Sequence, residues 1–354
     1  MTVCFAHSGV GAYAHIQAGS GIEYSISSRP LCVSLPGDIV VIDAAIADEY
    51  LEVIRHYESM GLKVASRITA DKSIIDRMKR PHDSTDFYMQ TVNSVRYSGK
   101  SSLKWCTSMN NKTSFLRTCS ELGVPTPKTF FTNLTSRRKA GAMEVRFHFP
   151  HLAKSDVSSS GRGVFLISKP EEYEELLEKG ILKDGEHHLQ EIIPDARSLN
   201  INLDSYNACW RWPSWQIIEN FKYIGSESIT PEDNASLKKV YADAEKLRSY
   251  YAKQGYRGYL GFDVMIAQDA HYFIECNPRW NTSLYFAKVA KKMGWEQWRS
   301  LRIKTAHNTF IGFPLRDQHS IFRQKNPPLI VNWGGIKNQV VDVVGTPEMF
   351  VGYI

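Results

Sequence analysis

The 354-residue chain contains no Cys-x-x-Cys pair. Its six cysteines, Cys4, Cys32, Cys106, Cys119, Cys209 and Cys276, are scattered, which argues against zinc and dithiol redox motifs and suits a reducing compartment. No apolar run reaches 18 residues, so nothing reads as a membrane-spanning helix. Met1 to His7 show no basic n-region leading into an apolar stretch, so we expect no secretory signal and a cytoplasmic location. The chain also lacks a Lys/Arg stripe. Its formal net charge of +6 is mild and diffuse, which speaks against nucleic acid but favours a small anionic ligand such as a nucleotide. Arg137-Arg138-Lys139 reads as solvated loop. Ser8-Gly9-Val10-Gly11-Ala12 falls short of the full Gly-x-Gly-x-x-Gly and carries little weight. There is no internal repeat and no low-complexity tract. What remains is an ordinary globular composition, 43% hydrophobic and 23% charged, long enough for two or three subdomains.

The most informative stretch present is Gly261-Phe262-Asp263-Val264 to Phe273-Ile274-Glu275-Cys276-Asn277-Pro278-Arg279. It reads as two apolar strands joined at Gln268-Asp269-Ala270. Strand side chains alternate, so Glu275 and Asn277 share one face and Cys276 turns into the core. A hairpin about 268–270 sets Asp263 nearly opposite Glu275. Two carboxylates and a carboxamide oxygen are hard ligands suited to Mg²⁺ carrying nucleotide phosphates. Arg279 beside them suits a phosphoryl or acyl-phosphate group. A half-exposed hairpin with a polar end is the alternative.

Upstream, Lys154-Ser155-Asp156-Val157-Ser158-Ser159-Ser160-Gly161-Arg162-Gly163 joins an apolar run ending at Ala153 to the strand Val164-Phe165-Leu166-Ile167. Gly161 and Gly163 let backbone amides approach phosphate oxygens, and Ser158, Ser159 and Ser160 add hydroxyl donors. Lys154, at the strand end, could reach a phosphate. No Gly-Lys-Ser/Thr and no helix follows, so this is not a Walker loop. A solvated hairpin loop explains the same composition. Leu189-Gln190-Glu191-Ile192-Ile193-Pro194 is a further short strand, ended by proline. His187-His188 would point to opposite faces and chelate poorly, and His148 and His151 likewise read as structural or exposed.

Taken in order, Lys112, Lys154, the loop 158–163, Gln190-Glu191-Ile192-Ile193, Asp263 and Glu275-x-Asn277-x-Arg279 resemble the ATP-grasp superfamily of carboxylate ligases, over roughly residues 105–300. The resemblance implies ATP held between two α+β subdomains and a carboxylate activated as an acyl phosphate, which an amine then attacks. It implies that Lys112 and Lys154 contact ATP and that the loop 158–163 covers the β- and γ-phosphates. Gln190, Glu191 and the backbone through Ile193 would form the hinge that reads adenine. Asp263, Glu275 and Asn277 would hold Mg²⁺, with Mn²⁺ as an alternative ion. Arg279 would stabilise the phosphoryl and tetrahedral species. Two positions depart from the pattern. Asn200 and Asn202 stand where many members carry Glu. Gly258-Tyr259-Leu260-Gly261-Phe262 lacks the Arg that precedes the first metal carboxylate in the D-alanine ligase branch. The Glu-x-Asn-x-Arg form looks more like amino-acid ligases and the carbamoyl-phosphate and biotin-carboxylase branch. With the compact N-terminal layer, it is similar to peptide ligases of natural-product pathways that have a pre-ATP-grasp domain. An ATP-grasp kinase and a non-catalytic nucleotide sensor are the rival functions.

The expected fold is therefore α/β plus α+β: an ATP-grasp fold behind an N-terminal Rossmann-like pre-ATP-grasp domain. Residues 1–105 would form that domain, 106–190 the small lid subdomain, and 191–354 the large subdomain with a C-terminal extension. Within the first, Asp38–Ile42 reads as a strand, Ala47–Tyr57 as a helix closed by Gly61, and Leu62–Ala65 as the next strand. Lys112 opens a helix stopped at Gly123-Val124-Pro125, and Thr132 to Glu144 reads as polar loop or helix. Pro170–Gly180, 231–253 and Asn281–Met293 read as helices, and the run from Pro327 as a terminal strand and turn. Trp210-Arg211-Trp212-Pro213-Ser214-Trp215 reads as core packing, with an aromatic wall at the acceptor site as the alternative. Expected partners are small-molecule or peptide carboxylate and amine substrates, without nucleic acid or membrane, and a homodimer is kept open.

Overall fold

The computed structural model describes residues 4–6, 28–71, 85–87, 103–132, 149–158, 161, 163–183, 187–205, 211–268, 270–305, 320–332 and 340–353. The N-terminal layer comprises β1 (Cys4–Ala6), α1 (Arg29–Val33), β2 (Ile39–Asp43), α2 (Tyr50–Ser59), β3 (Arg67–Asp71) and β4 (Thr85–Phe87). Its strands form a parallel sheet in the order β3-β2-β1-β4. Val40, Val41 and Ile42 are fully buried, as a strand covered on both faces requires. A 3₁₀ stretch, Ala44–Glu49, leads into α2, so the helix begins later than its pattern suggested. The strand expected at Leu62–Ala65 is instead a connection, and β3 begins at Arg67. Side chains satisfy its backbone in place of a ladder: Ala65 N donates to Ser34 Oγ at 3.0 Å, and Lys63 O accepts from Lys292 Nζ at 2.9 Å.

Two helices follow, α3 (Leu103–Asn110) and α4 (Lys112–Glu121). Asn111 caps α4 by accepting from Ser114 N at 2.8 Å. Next come β5 (Thr129–Phe131), β6 (His151–Ser155), β7 (Val164–Ile167), α5 (Pro170–Glu178) and β8 (His187–Glu191). These strands pair antiparallel in the order β5-β8-β6-β7. Ala153, Ile167, Tyr173, Leu182 and Leu189 fill the small core between this sheet and α5. Most of Thr132 to Glu144 lies outside the described residues.

The rest of the chain builds one eight-stranded sheet. In sequence its elements are β9 (Arg197–Asp204), β10 (Arg211–Glu219), β11 (Lys222–Ser228), α6 (Pro231–Ser236), α7 (Lys238–Lys253), β12 (Tyr259–Ala267), β13 (Ala270–Asn277), α8 (Thr282–Met293), β14 (Arg299–Lys304), β15 (Leu329–Asn332) and β16 (Val340–Gly345). The strand order is β13-β12-β9-β10-β11-β14-β16-β15. The single helix expected over 231–253 is two, broken at Leu237. A Thr230–Asp233 capping box fixes the first piece, and Leu237 is itself buried in the core. The strand expected near 327–331 is β15, but it is not terminal. The valine-rich β16 follows and inserts between β14 and β15.

Two cores flank the large sheet. Cys106, Met109, Phe115 and Cys119 of α3 and α4 pack with α7 residues and with Leu199, Ile201, Phe262 and Cys276. A second cluster joins Leu31, Val40 and Val53 of the N-terminal layer to Leu284, Phe286 and Val289 of α8 and to Val341 and Val343 of β16. No helix among the described residues is long and apolar enough to cross a membrane.

Candidate active site

The β12–β13 hairpin brings the acidic residues together as alternation requires. Gln268, at φ 47°, makes the turn, and Asp263 pairs directly with Glu275. A bulge at Ile274 follows, which bends the ladder beside the two carboxylates. On the other side of β12, Asp263 pairs with Asn200 of β9. Asn200 Nδ2 donates to Asp263 Oδ1 at 2.6 Å, and Gln216 Nε2 of β10 donates to the same oxygen at 3.2 Å. Asn277 Nδ2 lies 3.4 Å from Asp263 Oδ2. Asn200 is held in turn by Asn202 Nδ2 and Ser283 Oγ, both donating to its carboxamide oxygen, at 2.6 and 2.8 Å. Burial raises the Asp263 pKa, and the neighbouring Glu275 adds to the rise. Asn277 Oδ1 is buried and has no hydrogen-bond partner among the described residues. An acceptor oxygen left so, beside two carboxylates, fits a hard cation. Among the described residues no three His, Cys, Asp or Glu side chains cluster in a way that could hold a metal, so a cation here would rest on two carboxylates and a carboxamide.

Both lysines reach this centre. Lys112 opens α4, and its N–H donates to Asp156 O at 2.9 Å, fastening the helix to the end of β6. Lys112 Nζ lies 3.4 Å from Glu275 Oε2, 3.1 Å from Ser158 Oγ and 3.3 Å from Ser158 O. It thus bridges the acidic hairpin and the serine-glycine loop. Lys154, on β6, donates to Gln190 Oε1 of β8 at 2.6 Å. Burial, reinforced by Lys112, lowers the Lys154 pKa to about 8, against an opposing pull from Glu275 and Asp263. Behind them, Asp156 accepts from Thr113 Oγ1 at 2.6 Å and contacts His188 Nδ1 at 3.2 Å. Burial lowers the His188 pKa to about 4, so at neutral pH it is an uncharged donor to Asp156. His187 faces the other way, toward Tyr173 Oη and Lys183 O, and neither histidine joins a metal cluster.

A cavity of about 930 Å³ collects these groups, lined by Lys112, Lys154, Gly161, Gln190, Glu191, Ile193, Asp263, Glu275, Asn277 and Arg279. Ser158 reaches the centre through Lys112, and Gly163 closes the loop by accepting from Ser155 N at 2.8 Å. Ser159 and Ser160 lie outside the described residues. Gly161, at φ 76°, packs against the turn between β10 and β11: a Cβ there would stand 2.0 Å from Phe221 O. The Glu191 carboxylate accepts from Lys128 N at 2.6 Å, so its side chain is occupied by the chain itself. The backbone of Ile193 makes no hydrogen bond among the described residues, which leaves an edge for a planar ligand. Leu152, Ile192, Met265 and Ile274 supply apolar wall nearby. The Arg279 guanidinium donates to the neutral Asn110 Oδ1 at 3.2 Å.

A family profile described as the ATP-grasp domain matches residues 109–283. The chain carries an ATP-grasp domain and has the ATP-grasp fold. Solved structures agree on the architecture. N5-carboxyaminoimidazole ribonucleotide synthetase from Thermus thermophilus superposes with a TM-score of 0.60 at 15% identity, covering 98% of this chain and 94% of that one. The Staphylococcus aureus N5-carboxyaminoimidazole synthetase complexed with ADP gives 0.60 at 10% identity over 98% and 93%. A biotin carboxylase from Campylobacter jejuni gives 0.58 at 14% identity over 87% and 77%. Identities this low show the fold alone. No curated protein matches the sequence.

Several residues of the ATP-grasp domain's cavity were not legible as such. Gln216 gives no local signal, since its link to Asp263 depends on β9, β10 and β12 being neighbours. Asn200 and Asn202 were visible as polar residues at alternating strand positions, without an indication of their partner. Trp215 is both core and wall: buried and cavity-lining, it donates from Nε1 to Asp233 at 2.9 Å, and the Arg197 guanidinium lies 3.8 Å over its ring. Trp212 is partly buried against the core with Lys288 5.2 Å from its ring centre. Trp210 lies outside the described residues.

Proposed function

We propose that this chain is an ATP-dependent ligase that activates a carboxylate as an acyl phosphate and joins it to an amine, forming an amide or peptide bond with release of ADP and phosphate. The observation that carries the reading is the convergence of Lys112, Lys154, Asp263, Glu275, Asn277 and Arg279 on one cavity. Lys112 and Lys154 supply positive charge for ATP phosphates. The Ile193 backbone offers donor and acceptor for the adenine edge, and Leu152, Ile192 and Met265 give the same cavity apolar lining. Asp263, Glu275 and Asn277 are the set that would hold Mg²⁺, and the unpartnered Asn277 oxygen fits that use. When bound, Mg²⁺ neutralises phosphate charge. Asn200 and Gln216 fix Asp263 through its Oδ1.

Arg279 has no carboxylate partner among the described residues, so its planar fork is available to an oxyanion. Its use would be greatest when the carboxylate oxygen attacks phosphorus and when the amine later adds to the acyl carbon, because both steps develop charge on oxygen. The amine lone pair forms the new C–N bond, phosphate leaves with the C–O electron pair, and the ammonium proton is lost to solvent.

The test is turnover with an ¹⁸O-labelled carboxylate, over a matrix of amino acids and short peptides as carboxylate and amine. The acyl-phosphate path carries one ¹⁸O into released phosphate. A kinase would leave the phosphoryl group on its product, and a binding protein would release no ADP. Unlabelled phosphate appearing together with an amide product would overturn the reading.

A further inference from the structure

The cavity extends beyond the acidic hairpin to a residue that sequence order would never associate with it. Arg29, at the start of α1 in the N-terminal layer, lines the same cavity as Tyr223 and Trp280. Its side chain is 8% exposed, so the guanidinium is buried. Among the described residues it has one anionic partner: Arg29 Nη2 lies 3.3 Å from Asp342 Oδ2. That carboxylate is already held more closely by Arg302, whose Nε donates to Oδ1 at 2.8 Å and whose Nη2 lies 3.3 Å from Oδ2, and Asn332 donates to it at 3.2 Å. Arg29 therefore keeps the weakest share of a divided counter-charge. Its Nε is buried with no hydrogen-bond partner among the described residues. A buried guanidinium so poorly compensated is costly in isolation, and it abuts a space that a ligand can enter.

The sheet gives the scale. Tyr223 lies on β11, three strands along from Asp263 on β12. At about 4.8 Å per strand, β11 lies roughly 14 Å from β12, and Asp342, the partner of Arg29, lies farther along the sheet on β16. That is too far for the reacting group and suits the distal end of a substrate.

We propose that Arg29 binds a distal oxyanion, carboxylate or phosphate, on the substrate that fills the cavity beyond the nucleotide. This rests on the ligation reading only for the identity of the molecule that carries the anion. The substrate class it names is a small carboxylate or amine with a second anionic group at its far end.

The test uses the full chain with Mg²⁺ and a non-hydrolysable ATP analogue at saturation, so that the lysines are occupied. Inorganic phosphate and acetate are titrated separately at constant ionic strength, with tryptophan emission as readout because Trp280 is in the wall. Saturable binding by the wild type is expected, weakened by about ten- to a hundredfold in Arg29→Met, since a charge-assisted contact is lost. Preference for phosphate or for acetate distinguishes the two sources. Arg29→Lys keeps a charge for Asp342 and should bind with intermediate affinity. If Arg29→Met does not fold, Arg29→Lys decides, and undiminished binding by it overturns the assignment. Equal affinities in wild type and Arg29→Met, or no saturable binding by the wild type, also overturn it. Absence of ADP release with every carboxylate–amine pair would instead sink the ligation reading and leave the anion titration to stand alone.

Discussion

Lys154 and Asp263 carry opposite consequences of burial, which lowers the lysine's pKa and raises the carboxyl's. Glu275 and Asn277 would supply oxygens to the cation beside Asp263, so Glu275→Gln and Asn277→Ala should leave the fold intact and cost about a hundredfold or more in turnover. ADP release across a Mg²⁺ titration, with melting curves as control, checks this; either folded variant turning over like wild type at saturating Mg²⁺ would remove the metal assignment. Lys154 supplies a pH signature. Its pKa is lowered to about 8, chiefly by burial and then by Lys112. Phosphates would raise that pKa on binding, so nucleotide affinity is full below about pH 8 and weakens as pH rises through the free-enzyme value. Lys154→Ala should bind ATP more weakly and lose that slope. Calorimetric titration between pH 7.5 and 9.5 measures both, and an unchanged slope in the variant would acquit the lysine.

At the scale of elements, the hairpin was readable because strand period and a short turn together fix register. Asp263 and Glu275 could hardly avoid each other once 268–270 turned. The loop 158–163 was readable as a loop, but its seat was not: Gly161 rests on the turn at Asn220 and Phe221, whose φ values of 48° and 61° no local pattern announced. Gln216 and Arg29 were invisible for the same reason, since their partners are far along the chain. Gly161→Ala tests the seat. Its methyl group cannot share space with Phe221 O, and φ 76° penalises any side chain. The loop should lift, so KM for ATP rises several-fold, about 1 kcal/mol or more of lost contact, while the melting temperature barely moves. Tryptic cleavage after Arg162 should quicken in the variant and slow in the wild type with an ATP analogue. Identical cleavage under all conditions would mean that the loop takes no part in closing the cavity.

For the whole molecule, the deciding feature is that the N-terminal layer and the large sheet share one apolar cluster, from Leu31 and Val53 through Leu284 to Val343. Periodicity announced α2 and α8 of that cluster but neither α1 nor β16, and it could not announce their union, because burial on a common face depends on how α8 crosses α1. Lys292 fastens the crossing. Its Nζ donates to Cys32 O at 3.2 Å, Ser34 O at 2.7 Å and Lys63 O at 2.9 Å, gathering the end of α1 and the connection before β3. Lys292→Met keeps the aliphatic stem but leaves three carbonyls without this donor, a loss of about 2–3 kcal/mol. Because the core on either side is continuous, the molecule should still unfold in one transition: the denaturant midpoint should fall while the slope m stays the same. Urea unfolding followed by both tryptophan emission and far-ultraviolet dichroism makes the comparison. A lowered m, or two transitions that separate between the probes, would show that the N-terminal layer can leave on its own and that the shared cluster does not bind it cooperatively to the ATP-grasp domain.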